Sequence, residues 1–221
     1  MATSALLTLP TELRLHLYDF VVPEVPLSVP ASQYTGLLYS CTRIRDELQP
    51  EILKHMTAFL LEMQSHLRTI LANDFEFTLP QSYSELQTLT VTRPYRFKPF
   101  RDTDPFLRLT YLHFKSITLR YRAPPKSSNP DYAGGPSPHR GNMRRLLFYI
   151  AKYAHWPGSS PCAKRIVYDW SRDQEHDNTN FPWTDLGWLA ETAGWSMEPW
   201  RDEEGKIIGA VLVRVDGPGE A

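Results

Sequence analysis

Lys115-Ser116-Ile117-Thr118-Leu119-Arg120-Tyr121-Arg122 alternates apolar and polar side chains along its whole length. Ile117, Leu119 and Tyr121 fall on one side of an extended chain, with Ser116, Thr118, Arg120 and Arg122 on the other. That is the period of a half-buried strand. Downstream, Met143, Leu146, Leu147, Ile150, Tyr153 and Ala154 form the apolar face of a helix whose opposite side carries Arg144, Arg145 and Lys152. Asn142 is placed to cap this helix and Pro157-Gly158 to stop it. Lys164–Trp170 then puts Ile166, Tyr168 and Trp170 on one face of a second strand. Strand, helix and strand within about 55 residues read as a βαβ unit with a right-handed crossover. This unit makes the fold class α/β (or α+β).

Beyond it, Thr184 is a plausible N-cap for a helix through Ala193, with Leu186, Leu189, Ala190 and Ala193 inward and Gly194 at the stop. Trp195–Trp200 and Ile207–Val215 flank Asp202-Glu203-Glu204-Gly205, the signature of a hairpin. Upstream, Gln87–Arg93 is a short strand, with Leu89 and Val91 on one face and threonines opposite. Ala123–Gly141 contains five prolines and Gly134-Gly135, and reads as a long exposed loop.

The first 72 residues have a different texture, that of helices. Leu13, Leu17, Phe20 and Val21 recur at i, i+4, i+7 and i+8 behind Pro10, which suits a first helical position, and Glu12. Pro23, Pro26 and Pro30 then force an extended linker. Leu37, Cys41, Ile44 and Leu48 begin a second stripe, continued by Ile52, Met56, Phe59, Leu60, Met63, Leu67 and Ile70. Pro50 is expected to kink or split that helix, because it removes a hydrogen bond and crowds the preceding turn.

Leu9-Pro10-x-Glu12-Leu13, Leu17-Tyr18 and Leu37-Leu38-x-x-Cys41-x-x-Ile44 together resemble the F-box-like N-termini common in fungal proteins, and in particular the two-EXR variant. Glu12-Leu13-Arg14 matches the first E-x-R. In Cys41–Glu47 only Arg45 matches the second, since Arg43 stands where the variant has Glu. The resemblance spans residues 6–60. It implies a recruiting role: F-box modules dock a Skp-type adaptor of cullin-RING ubiquitin ligases through exposed apolar side chains, and the rest of the chain selects a target. The matching residues are Leu9, Pro10, Leu13, Leu17 and Cys41. The alternative is that the same helices form an integral cap over the sheet, burying Leu17 and Phe20 and leaving Leu9 and Pro10 at a partly exposed edge. The expected architecture is therefore a helical F-box-like module at 1–72. It packs on a mixed sheet of four to five strands with two further helices in 73–221, and the Pro-rich loop lies at 123–141.

Charge narrows the function classes. The net charge is −1, but residues 1–92 carry −5, residues 93–165 carry +12 and residues 166–221 carry −8. Either the middle attracts an anionic partner or the segments neutralise one another on packing. Within the basic middle, Arg93, Tyr95, Arg96, Phe97, Lys98, Phe100 and Arg101 interleave cations with aromatic rings, the mix that neutralises phosphates and stacks bases. Arg120, Arg122, Arg140, Arg144 and Arg145 extend it. Nucleic-acid binding is thus the alternative function, and a purely structural role a further one.

Catalytic signatures are missing from the sequence: there is no Gly-rich phosphate loop, no G-x-S-x-G and no H-E-x-x-H. Two cysteines, Cys41 and Cys162, exclude a disulfide framework or a four-Cys zinc site. Cys41 reads as a small buried hydrophobe. His155 and Cys162 lack an orienting third group, and Asp173-Gln174-Glu175-His176-Asp177 lacks the spacing of a calcium loop. The six tryptophans, from Trp156 to Trp200, are placed to cement a core. The expectation is a non-enzymatic interaction protein of the cytoplasm or nucleus, with no cofactor, metal, small-molecule substrate or membrane span.

Overall fold

The structure, a computed structural model, describes residues 5–30, 32–71, 75–93, 105–122, 138–154, 161–172 and 181–215. It is an α/β fold. Its centre is a six-stranded mixed sheet in the order β1-β2-β3-β4-β6-β5. The strands are β1 (Glu76–Thr78), β2 (Thr88–Arg93), β3 (Ser116–Tyr121), β4 (Arg165–Asp169), β5 (Trp195–Arg201) and β6 (Ile207–Arg214). β2, β3 and β4 are parallel, and the outer pairings are antiparallel. The βαβ reading holds: β3 and β4 pair side by side in parallel, joined through helix α6 (Pro138–Ala154). A second parallel connection, from β2 to β3, carries a short helix α5 (Pro105–Thr110) that the sequence did not announce. β1 is the strand beyond the expected five. Three residues are too few to show a period.

Alternation along the strands becomes rows across the sheet. Leu89, Ile117, Ile166 and Leu212 stand side by side, and Val91, Leu119, Tyr168 and Ala210 form the next row; all eight are buried. One row further, Arg120, Asp169, Gly209 and Trp200 are neighbours. Gly209 is required there. A Cβ at this position would lie 2.6 Å from both Trp200 Cε3 and the Tyr168 carbonyl oxygen. The hairpin between β5 and β6 closes where expected: Asp202 Oδ1 accepts the Glu204 and Lys206 amides at 3.1 and 2.8 Å, and Gly205 takes φ +81°.

Three helix boundaries differ from expectation. α6 begins at Pro138, so Asn142 is not its cap but a buried residue in its second turn, and residues 138–141 leave the loop for the helix. Pro at a helix start gives up nothing, which lets it open the turn. The remainder of the Pro-rich loop lies outside the described residues. α7 (Trp183–Thr192) has Pro182 rather than Thr184 at its N-cap, with Gly194 at φ +78° beyond its end. α4 (Thr42–Leu71) runs through Pro50 as one helix of 30 residues. Pro50 and Asp46, whose carbonyl loses its helical partner to the proline, both lie on the exposed side of the helix.

α4 is about 45 Å long and buries Ile44, Leu48, Ile52, Met56, Leu60 and Leu67 of the expected row; Phe59 and Met63 are half-buried, and Leu37 and Cys41 lie ahead of its first residue, so the helix begins later than expected. Helices α1 (Ala5–Thr8), α2 (Thr11–Val21) and α3 (Ser32–Leu38) lie before it. One continuous cluster of buried side chains runs from Tyr18 to Leu212, so the N-terminal helices and the sheet share a core. A backbone bond from His113 N–H to the Leu27 carbonyl, 2.8 Å, ties the linker to the approach of β3. No helix among the described residues is long and apolar enough to cross a membrane.

Candidate functional site on the N-terminal helix

α2 is built inside out. Its buried face is Arg14, Tyr18 and Val22, at i, i+4 and i+8, and Arg14 is 0% exposed. A guanidinium is expensive to bury unless its donors are met by a carboxylate in good geometry. Here they are. Arg14 Nε and Nη2 donate to the two oxygens of Glu47, on the first turns of α4, at 2.8 and 2.6 Å. Nη2 also donates to Thr11 Oγ1 at 3.0 Å, and Nη1 to the Leu9 carbonyl. The Tyr18 hydroxyl donates to Glu47 Oε2 at 3.0 Å, and Arg43 Nε to Oε1 at 3.3 Å. With three donor side chains on one carboxylate, the ionised form is favoured. Arg14 chiefly, then Tyr18 and Arg43, hold the Glu47 carboxyl down at about 2 against the opposing effect of burial. Burial, then the bond to Glu47, pushes the Tyr18 hydroxyl up.

The opposite face of α2 is apolar and outside. Leu13 is 50% exposed, Leu17 42%, Val21 45% and Phe20 87%. Pro10 is exposed and Leu9 half-buried. The expectation that Leu17 and Phe20 pack against the sheet is therefore overturned. The inward position on this helix is taken by the Arg14–Glu47 pair, and the stripe must face the other way. Of the residues implied by the resemblance, Pro10, Leu13 and Leu17 lie together on the surface with Phe20 and Val21. Cys41 is half-buried at the head of α4, where its Sγ meets the Ile44 amide at 3.5 Å.

The basic, aromatic segment fares differently. Arg93 is fully buried, its Cζ 5.7 Å over the Phe75 ring, so it is a core residue and not a phosphate contact. It follows Leu89 and Val91 on the inward side of β2, which its place in the alternation already determined. Tyr95, Arg96, Phe97, Lys98, Phe100 and Arg101 lie outside the described residues. Arg120 Nε is paired with Asp169 at 2.6 Å and Arg122 with Glu76 at 2.6 Å. Arg140, Arg144 and Arg145 are exposed on α6.

The core also contains a chain of rings. Tyr121, Tyr168, His139, Trp170, Phe181 and Trp183 follow one another at centroid distances of 4.7–5.9 Å. Trp170 and Trp195 are fully buried, as expected of core tryptophans, whereas Trp188 is 68% exposed. Cys162 is half-buried; His155 and the acidic segment 173–177 lie outside the described residues.

The Arg14–Glu47 lock escaped sequence reading because its partners are 33 residues apart. The available signal was an arginine at i, i+4 with Tyr18 and Val22, inside a helix where Leu13 and Leu17 face outward and Leu15 is half-buried. No protein-family model matches the chain, and no match was found among curated proteins or solved structures.

Proposed function

We propose that this chain is a non-enzymatic protein–protein interaction protein, and that the outer face of α2 is its docking surface. One observation supports this reading: the apolar row Leu13, Leu17, Phe20 and Val21 points to solvent while a charged pair occupies the inward side. Apolar area gains about 25 cal/mol per Å² on leaving water. A contiguous row left outside is a surface with free energy still to be released against a partner. Leu13 and Leu17, with Pro10 beside them and Leu9 at the edge, are the docking residues. The partner is an apolar-grooved protein, a Skp-type adaptor in the F-box-like reading, which places the chain as a recruiting subunit in the cytoplasm or nucleus.

The test is retention of a purified Skp-type adaptor by the immobilised full-length chain. The wild type is expected to retain it. Leu17→Asp combined with Phe20→Asp is expected to abolish retention while leaving the thermal melt in place. A wild type that never retains the adaptor ends the ubiquitin-ligase reading. Retention that survives the double variant removes α2 from the interface.

A further inference from the structure

We propose that Asp19, Glu51 and His55 form a site for a divalent transition metal, Zn²⁺ by its chemistry, at the seam between α2 and α4. Sequence reading named no metal ligands because the three residues come from two helices. In the fold, one ligand atom from each lies within 4.8 Å of the other two. Glu51 and His55 are i and i+4 on α4 and so share a face; Asp19 reaches them from the last turns of α2. The Asp19 Oδ1 to His55 Nε2 separation is 3.5 Å. That is longer than a good hydrogen bond. Two ligands of a tetrahedral zinc, each at about 2.0–2.1 Å, stand roughly 3.3 Å apart, close to the spacing seen.

A second, largely exposed imidazole lies near the same carboxylate. His16 Nδ1 lies 3.9 Å from Asp19 Oδ2, so Asp19 has a ring nitrogen beside each of its oxygens. One imidazole with two carboxylates is a nitrogen and oxygen donor set that admits zinc; an all-oxygen shell would suit calcium. Glu51 and His55 are partly shielded, and Asp19 is about half exposed. This leaves a fourth position for water or for His16. The competing contact is Lys54 Nζ to Glu51 Oε2 at 3.0 Å. Lys54 is largely exposed, so its ammonium can turn into water when a dication arrives.

Five residues separate Arg14 from Asp19, about 7 Å along the helix. A bound ion would pin the C-terminal half of α2 to α4, as the Arg14–Glu47 pair pins its N-terminal half. The inference stands whether or not α2 docks a protein.

The experiment is calorimetric titration of the chelator-stripped full-length chain with ZnCl₂, alongside thermal melts. The expected result is one Zn²⁺ per chain and a melting temperature raised by about 5–10 °C at a hundredfold excess over Kd. Asp19→Asn and His55→Gln should each weaken binding about tenfold or more, since even loss of an outer-shell partner costs 10–100-fold in such sites. Asp19 is half exposed and His55 partly shielded, so metal-free melts of both variants are run beside the titrations to separate lost binding from lost fold. His66→Gln, on an exposed part of α4, should change nothing. Substituted Co²⁺ should show visible bands that disappear in either ligand variant. Absence of saturable binding at 100 μM Zn²⁺ would overturn the proposal. So would undiminished affinity in both ligand variants, or equal loss in His66→Gln.

Discussion

α2 and α4 pack against each other and both carry apolar residues at helical spacing, yet they wear them on opposite sides. α4 turns Ile44, Leu48, Ile52, Met56, Leu60 and Leu67 into the core. α2 turns Leu13, Leu17, Phe20 and Val21 out to water and sends Arg14 and Tyr18 inward. Spacing identifies a face; what waits on the neighbouring element decides its direction. On α4 the neighbours are the apolar undersides of other elements. On α2 the neighbour is Glu47, a carboxylate that takes the Arg14 guanidinium and the Tyr18 hydroxyl from that helix.

The sharpest way to break this contrast is to shorten the inner row of α4. Leu48→Ala or Ile52→Ala should each cost roughly 2–5 kcal/mol in a denaturant titration, from lost burial and the cavity left behind. A cost below about 1 kcal/mol would mean that this row is not core.

Next in size is the lock. Glu47→Ala removes the counter-charge of Arg14 and should lower the melting temperature clearly, because the guanidinium is left with the Leu9 carbonyl and Thr11 Oγ1 as acceptors. The same pair gives a pH signature of definite sign. The Glu47 pKa is depressed from 4.5 to about 2 in the folded chain, so its stabilisation is complete above about pH 4.5 and is lost as pH falls towards 2. The difference in melting temperature between the wild type and Glu47→Gln should be constant at neutral pH and should close between those limits. A gap that stays open at pH 2, or opens on the alkaline side, would show that the carboxylate is not the stabilising group.

The smallest expected effects are on the outer face. Leu13→Ala and Leu17→Ala should each change stability by no more than about 0.5 kcal/mol, the range for surface positions. Their leucines would rank with those of α4 if either loss reached 2 kcal/mol, and the docking reading would lose its surface.

The contrast also marks what was legible in the sequence. Where burial is one-sided and the element long enough, spacing was sufficient: much of the inner row of α4, the alternation of β3 and the stop at Gly194 stand as read, as does Gly205 in the hairpin turn, whereas β4 is buried on both faces. β1 was invisible because three residues carry no period, and α5 because it is a six-residue helix beside an irregular basic stretch. Pro50 was over-weighted: on an exposed side of a helix it removes a bond that water can replace. The candidate site was half legible. Leu13 and Leu17 were named, but their direction was not, since it depends on Glu47, and no local pattern announces a pairing across that distance. Arg93 was misplaced for the converse reason. Its charge drew attention to solvent, while its register beside Leu89 and Val91 carried it into the core.

The parallel pairing of β3 with β4 has a consequence for the order in which the molecule comes into being. Arg120 meets Asp169 across 49 residues of chain, whereas Arg14 meets Glu47 across 33. On a ribosome adding about 5–20 residues per second, the helical lock is complete roughly 6–25 s before Asp169 is made. β1 is the first strand to reach α4, so until residues beyond 78 are made the inner row of α4 lacks that cover and both faces of the N-terminal helices carry exposed apolar rows. The nascent chain is then most in need of a chaperone, and arrival of the first strand begins to reduce the exposed rows from two to one.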